Sequence, residues 1–167
     1  MTTAPCASSS TSAGSTSMRQ VWVDGSLVDQ NRAMISVFDH GFLYGDGCFE
    51  GIRIYGGRIF KLRSHLERLF ESAQRIRLEP AYTIDEIDQA CRATVTANGL
   101  TDGYIRLVLS RGVGTLGLNP FKCPRAGTVI IADAIELYPP QLYEDGLAVI
   151  VAERPRIPIP CLDPAIK

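Results

Sequence analysis

Two tight-turn signals, each set between runs of β-branched and aromatic residues, constrain this chain most. Val21-Trp22-Val23 and Ser26-Leu27-Val28 flank Asp24-Gly25, and the alternating stretch 49–55 leads through Gly56-Gly57 into residues 58–62. Asp-Gly and Gly-Gly steps supply the positive φ that a two-residue hairpin needs, so both segments predict antiparallel strand pairs. Two helices are predicted next. Ser64-His65-Leu66-Glu67 and Thr83-Ile84-Asp85-Glu86 have the pattern of capping boxes. Leu66, Leu69, Phe70 and Ala73 then fall at helical spacing, as do Ile87, Cys91 and Val95, and Asn98-Gly99 is a stop signal. Residues 104–110, 128–135 and 147–152 read as three more strands, with a Gly-rich loop at 111–120 between the first two. Strands, then helices, then strands, joined by hairpins, predict an α+β domain with a mostly antiparallel sheet and two flanking helices.

That domain is expected to occupy residues 19–152. Residues 1–18 are almost entirely Ser, Thr, Ala and Gly, too poor in apolar surface to offset the entropy of ordering, and read as a disordered tail. They lack the apolar stretch of a secretory signal and the arginines of a transit peptide, and Met18 is an alternative start. Residues 153–167 contain Pro155, Pro158, Pro160 and Pro164 and read as an extended linker, with a further domain expected after Lys167. A net charge of -1 gives no electrostatic reason to expect nucleic acid or an anionic membrane as partner. No apolar run approaches the roughly 18 residues of a membrane span. Five scattered cysteines without a C-x-x-C pair, and only two histidines, His40 and His65, fit neither a disulfide framework nor a metal site. Reduced thiols in a cytoplasmic protein are the expectation.

Four places carry groups capable of chemistry. The stretch Asp39-His40-Gly41-Phe42-Leu43-Tyr44-Gly45-Asp46-Gly47 packs three glycines with two carboxylates, an imidazole and a phenol. Arg68 lies in the first helix with Ser64 and Ser72 one turn either side, a fork of donors suited to a phosphate. Arg106 shares a strand face with Tyr104 in an otherwise apolar strand beside a Gly-rich loop, where it could meet a substrate carboxylate. Lys167 becomes a nucleophile only where its surroundings favour the neutral amine. Taken singly, these four have plainer readings: a structural turn, a solvated helix arginine, an exposed strand arginine and a lysine without a role.

Together they change meaning. Trp22-Val23-Asp24-Gly25, Asp39-His40-Gly41 with Tyr44-Gly45-Asp46-Gly47, Phe49-Glu50-Gly51-Ile52-Arg53, His65-Leu66-Glu67-Arg68-Leu69 with Ser72-Ala73, Tyr104-Ile105-Arg106 and Ala165-Ile166-Lys167 follow in this order. The series resembles the class IV, or fold-type IV, pyridoxal-phosphate-dependent aminotransferases over most of the chain. The resemblance implies the small N-terminal domain of the D-amino acid and branched-chain aminotransferase fold. It implies that Arg68 holds the cofactor phosphate and that Lys167 carries pyridoxal phosphate as a Schiff base. Phe49-Glu50-Gly51-Ile52-Arg53 and Leu116-Gly117-Leu118-Asn119-Pro120 look like the branched-chain type. In that type Tyr44, Phe49 and Gly51 help line the substrate pocket, and Arg106 meets the side-chain carboxylate of glutamate. The D-amino acid subgroup carries an arginine and a histidine where this sequence has Leu116 and Leu118, which favours an apolar pocket for Leu, Ile or Val. The implied activity is transamination of branched-chain L-amino acids with 2-oxoglutarate, by a homodimer whose small-molecule partners are amino acids and 2-oxo acids. The D-amino acid aminotransferase and aminodeoxychorismate lyase branches remain alternatives, as does a non-catalytic fragment that only self-associates. Family members are longer, so these residues alone are expected to lack the far side of the cofactor's bed and not to turn over.

Overall fold

The computed structural model describes residues 18–136, 138–161 and 163–167, so residues 1–17 of the tail read as disordered lie outside the described residues. Six strands form one sheet: β1 (Gln20–Val23), β2 (Ser26–Asp29), β3 (Gly47–Tyr55), β4 (Arg58–Ile59), β5 (Gly103–Ser110) and β6 (Gly127–Asp133). Their order across the sheet is β2-β1-β6-β5-β3-β4, and every neighbouring pair is antiparallel. Both hairpins form at the turns that the Asp-Gly and Gly-Gly steps predict. Among the described residues four α-helices accompany the sheet: α1 (His40–Tyr44), α2 (Leu62–Arg75), α3 (Ile84–Ala97) and α4 (Pro140–Asp145). The α+β expectation therefore holds, with two long helices against the sheet and two short ones that the periodicity does not announce.

The core lies between one sheet face and the long helices. Side chains alternate along a strand, so Ile52 and Ile54 of β3, Ile105, Leu107 and Leu109 of β5, and Ile130 of β6 all point the same way. They bury against Leu66, Leu69 and Ala73 of α2 and Ile87, Cys91 and Val95 of α3. Each large aliphatic side chain buried there contributes about 1.5–3 kcal/mol. Cys48, Cys91, Cys123 and Cys161 are free, and burial pushes the Cys48 thiol up to about 11 and the Cys91 thiol up to about 12, so both stay protonated at neutral pH. The opposite sheet face presents Phe49, Gly51, Tyr104, Arg106, Val108, Val129 and Ile131, and neither long helix packs on it.

Three local expectations need correction. Helix α2 begins at Leu62 instead of at a Ser64 cap, and its N-cap, Lys61, sits at φ 47 without a side-chain bond. The reason is Leu62 itself: it is buried in the core, which draws the helix start back and shortens β4 to two residues. The second box does form, with Thr83 Oγ1 accepting from the Glu86 amide and the Glu86 carboxylate accepting from the Thr83 amide at 2.7 Å. Residues 147–152 form no strand, and Val149, Ile150 and Val151 are 82%, 95% and 95% exposed. A β-branched run favours extension, but a strand also needs a partner edge, and none lies beside it among the described residues.

Candidate active site

Glu50 is the centre of the site, although alternation puts it on the core face between Cys48 and Ile52, and it is 0% exposed. A buried carboxylate must be paired and hydrogen-bonded to be tolerable. Its partners come from α2 and from the far end of the chain. Arg68 Nε donates to Oε1 at 2.6 Å and Arg68 Nη2 to Oε2 at 2.7 Å. His65 Nδ1 lies 2.9 Å from Oε2, and Lys167 Nζ donates to the same oxygen at 3.4 Å. An ionised carboxylate only accepts, so the His65 Nδ1 position carries the hydrogen. Burial pushes the Glu50 carboxyl up, but the hydrogen bonds from Arg68 and His65 and the charge of Lys167 outweigh it and hold the group near a pKa of about 2. The bond to Glu50 in turn raises the Arg68 pKa above the ordinary guanidinium value.

Helical spacing makes this cluster. His65, Arg68 and Ser72 fall at i, i+3 and i+7 and so share one face of α2, turned toward β3. Lys167 is fixed through its backbone. Its carbonyl accepts from the Phe49 amide at 2.8 Å, and its amide donates to Ser72 Oγ at 3.3 Å. The Phe49 amide is free to do this because β4 covers only Ile54 and Tyr55 of the nine-residue β3, leaving the rest of that edge open.

Seated at the edge, Lys167 meets two recesses. One is an apolar cavity of about 530 Å³ on the open sheet face, with Phe42, Phe49, Val108, Val129 and Ile131 in its wall. The other is a cleft of about 530 Å³ lined by Arg68, Arg75 and Arg156, with Glu71 as its one acid. Arg75 is paired with Asp163. Phe49 and Lys167 line both.

The other expected site residues lie nearby but not all together. Gly51 stands opposite Arg106 across the β3–β5 pair. The Arg106 guanidinium lies 4.3 Å from the centroid of the Phe49 ring and 5.9 Å from that of Tyr104. The space a side chain at Gly51 would fill is taken by the Tyr104 hydroxyl. Tyr44 closes α1, which is capped by Asp39 and ended by Gly45 at φ 68. Its hydroxyl donates to the Leu116 carbonyl at 2.5 Å, tying α1 to the Gly-rich loop. Tyr44, Leu116 and Leu118 do not line the apolar cavity, and Leu116 and Leu118 are largely exposed. Glu50 and His65 are the participants that residue-by-residue reading misses. The available signal is an acid at a position where the alternation of β3 demands an apolar side chain.

An antiparallel sheet with a lysine, an arginine-lined cleft and an apolar cavity at one edge is the arrangement expected of the class that the motifs resemble. The sequence model of the family described as Amino-transferase class IV matches residues 47–167, and this chain belongs to that family. It is 44% identical over 148 residues to a putative branched-chain-amino-acid aminotransferase of Methanocaldococcus jannaschii, covering 89% of this chain and 50% of that protein. It is 36% identical over 117 residues to a D-alanine aminotransferase of Staphylococcus haemolyticus, covering 70% of this chain and 41% of that protein. Among solved structures it is similar to a T.th. branched-chain amino acid aminotransferase complexed with N-(5'-phosphopyridoxyl)-L-glutamate. That likeness has a TM-score of 0.67 at 33% identity and covers 71% of this chain and 41% of the other. The chain thus spans about half the length of the curated relatives it matches.

Proposed function

We propose that these residues serve a pyridoxal-phosphate-dependent transamination of branched-chain L-amino acids with 2-oxoglutarate. The observation that carries the proposal is the position of Lys167, which lines both an apolar cavity and an arginine-lined cleft. The residues suit the cofactor: an amine to attach its carbonyl carbon, a half-exposed guanidinium with free donors for its phosphate, and apolar room beside the amine for a substrate side chain. Lys167 and Arg68 would hold it. Bound there, it would supply the electron sink for charge developing at the substrate Cα.

The chain's own part is positioning and proton movement. Lys167, which lines both recesses, carries the amine to take a proton from the substrate Cα and return it. Phe49, Val108 and Val129 exclude water and receive the branched aliphatic group, each CH₂ buried contributing about 0.8 kcal/mol. Gly51 makes room for the Tyr104 hydroxyl beside Arg106, which is stacked on Phe49 and offers its donors to the glutamate side-chain carboxylate. Tyr44 shapes the rim through its bond to the Gly-rich loop. Higher identity over more of the chain to a branched-chain enzyme than to a D-alanine enzyme supports the L-branched-chain reading. The likeness to the phosphopyridoxyl-glutamate complex supports the cofactor and glutamate as amino donor. A cytoplasmic homodimer completes the proposal, supported by the exposed apolar group Met34, Ile35, Val37, Phe38 and Phe42. Among the described residues no helix is long and apolar enough to cross a membrane.

The test uses protein expressed from its complete natural gene, titrated with pyridoxal phosphate. Lys167→Ala should abolish borohydride-fixable attachment of the cofactor. Arg68→Ala should weaken its binding roughly 10- to 100-fold, the loss of a charge-assisted contact. Unchanged affinity in Arg68→Ala would sink the phosphate assignment, and a preference for D-alanine over L-leucine in the same preparation would move the protein to another branch.

A further inference from the structure

We propose that Glu50 is a positioning residue for the anion-binding end of the site: it orients the Arg68 fork so that the remaining guanidinium donors face the cleft. The inference rests on the reading of Arg68 as a phosphate ligand. A guanidinium has five N–H donors in a rigid plane. Glu50 engages Nε and Nη2, one donor from each, which leaves three on the outer edge. That edge belongs to a side chain 48% exposed, and it borders the cleft that Arg75, Arg156 and Lys167 also line.

The fold by itself gives no reason for a carboxylate at this point. Leu62, Leu66, Leu69 and Ala73 already bind α2 to the sheet, and the neighbours of Glu50 along the same strand face are Cys48 and Ile52. An apolar residue of similar volume would serve packing as well or better. Every donor that Glu50 receives comes from the rim of the cleft or from the turn of α2 beside it: Arg68, Lys167 and His65. His65 fixes the carboxylate plane from the side and so belongs to the same device. An arginine held this way does not lose its rotamer freedom when an anion arrives, because folding has already removed it.

The experiment measures how much tighter pyridoxal phosphate binds than pyridoxal, which lacks the phosphate, using cofactor-stripped protein expressed from its complete natural gene. Titrations are run near 1 M salt, where the screening length is about 3 Å, so that removing the Glu50 charge contributes little and geometry decides. In Glu50→Gln the preference for the phosphorylated form should fall about tenfold, the equivalent of ordering one long side chain on binding, over and above any change common to both ligands from the lost Lys167 contact. Glu50→Asp keeps the charge but withdraws it by one methylene, and should lower the preference in the same direction. In an Arg68→Ala background Glu50→Gln should have no further effect on it. Arg68→Lys, which leaves Glu50 in place and keeps the charge without the fork, should lose the preference too, and it decides the matter if neither Glu50 variant folds.

An unchanged preference in a folded Glu50 variant, or in Arg68→Lys, overturns the proposal. An equal loss for both ligands also overturns it, since Glu50 would then act through Lys167 or the fold. If wild-type protein shows no phosphate preference, or Arg68→Ala retains it, the reading of Arg68 falls and this inference falls with it.

Discussion

Along β5, Ile105, Leu107 and Leu109 are 0% exposed against the helices, while Tyr104, Arg106 and Val108, one step out of phase, are only partly buried on the other face. The same strands thus present two surfaces of different character. The covered one is a packed apolar layer with a single acid, Glu50. The open one combines aromatic rings, an arginine with no ion-pair partner among the described residues, and a glycine. The covered face carries the stability and the open face the proposed chemistry. The two meet at the uncovered edge of β3, where Lys167 is anchored by the amide of an open-face residue, Phe49, and reaches the carboxylate of a covered-face residue, Glu50.

The sharpest way to break this contrast is to truncate neighbours on the two faces. Leu107→Ala should lower the unfolding free energy in urea by about 2–5 kcal/mol, because the cavity left in a packed layer collapses only partly. Val108→Ala, next along the strand, should cost less than about 1 kcal/mol. Equal losses would show that the open face is as structural as the covered one. Next in size is Arg106→Leu, assayed for transamination in protein from the complete gene. It should cut kcat/KM for glutamate by about tenfold or more, as a charge-assisted contact of roughly 1.5–3 kcal/mol is lost, and leave the leucine half-reaction nearly untouched. An equal fall in both would make Arg106 structural or place it on the α-carboxylate common to all substrates.

Acid tests the one buried carboxylate of the covered face. The folded Glu50 carboxyl titrates at about 2, below its ordinary 4.5, so it binds protons less readily than in the unfolded chain. Its contribution to stability is therefore complete above about pH 4.5 and disappears as the pH falls toward 2. The shift corresponds to at most roughly 3 kcal/mol, and about 1–2 kcal/mol is expected because Arg68 is half exposed. Urea unfolding measured through this window should show the slope in wild type and a shallower one in Glu50→Gln, and parallel slopes would contradict the network. The smallest effect concerns the helix starts. Thr83→Ala should cost about 1 kcal/mol and Ser64→Ala close to nothing, since only Thr83 caps.

What was legible in the sequence was what local chemistry decides. Asp24-Gly25 and Gly56-Gly57 turn the chain by their own φ preferences, and the Thr83 box is complete within four residues, so hairpins and α3 could be read directly. The start of α2 could not, because it depends on Leu62 finding the core, a tertiary fact. The stretch 147–152 misled for the related reason that strand propensity says nothing about whether a neighbouring edge exists. At the site, the resemblance singled out Arg68 and Lys167, which no local pattern distinguishes from ordinary surface cations. Glu50 escaped because its position is meaningful only as an exception to alternation, visible once the register of β3 against β5 is fixed.

The contact at Gly51 has a consequence for Arg106. The Tyr104 hydroxyl occupies the space into which a side chain at position 51 would grow, and Tyr104 also borders the Arg106 guanidinium. A methyl at 51 would displace the phenol and with it one wall of the arginine's seat, so a change at 51 reaches Arg106 through a residue that neither of them neighbours in sequence.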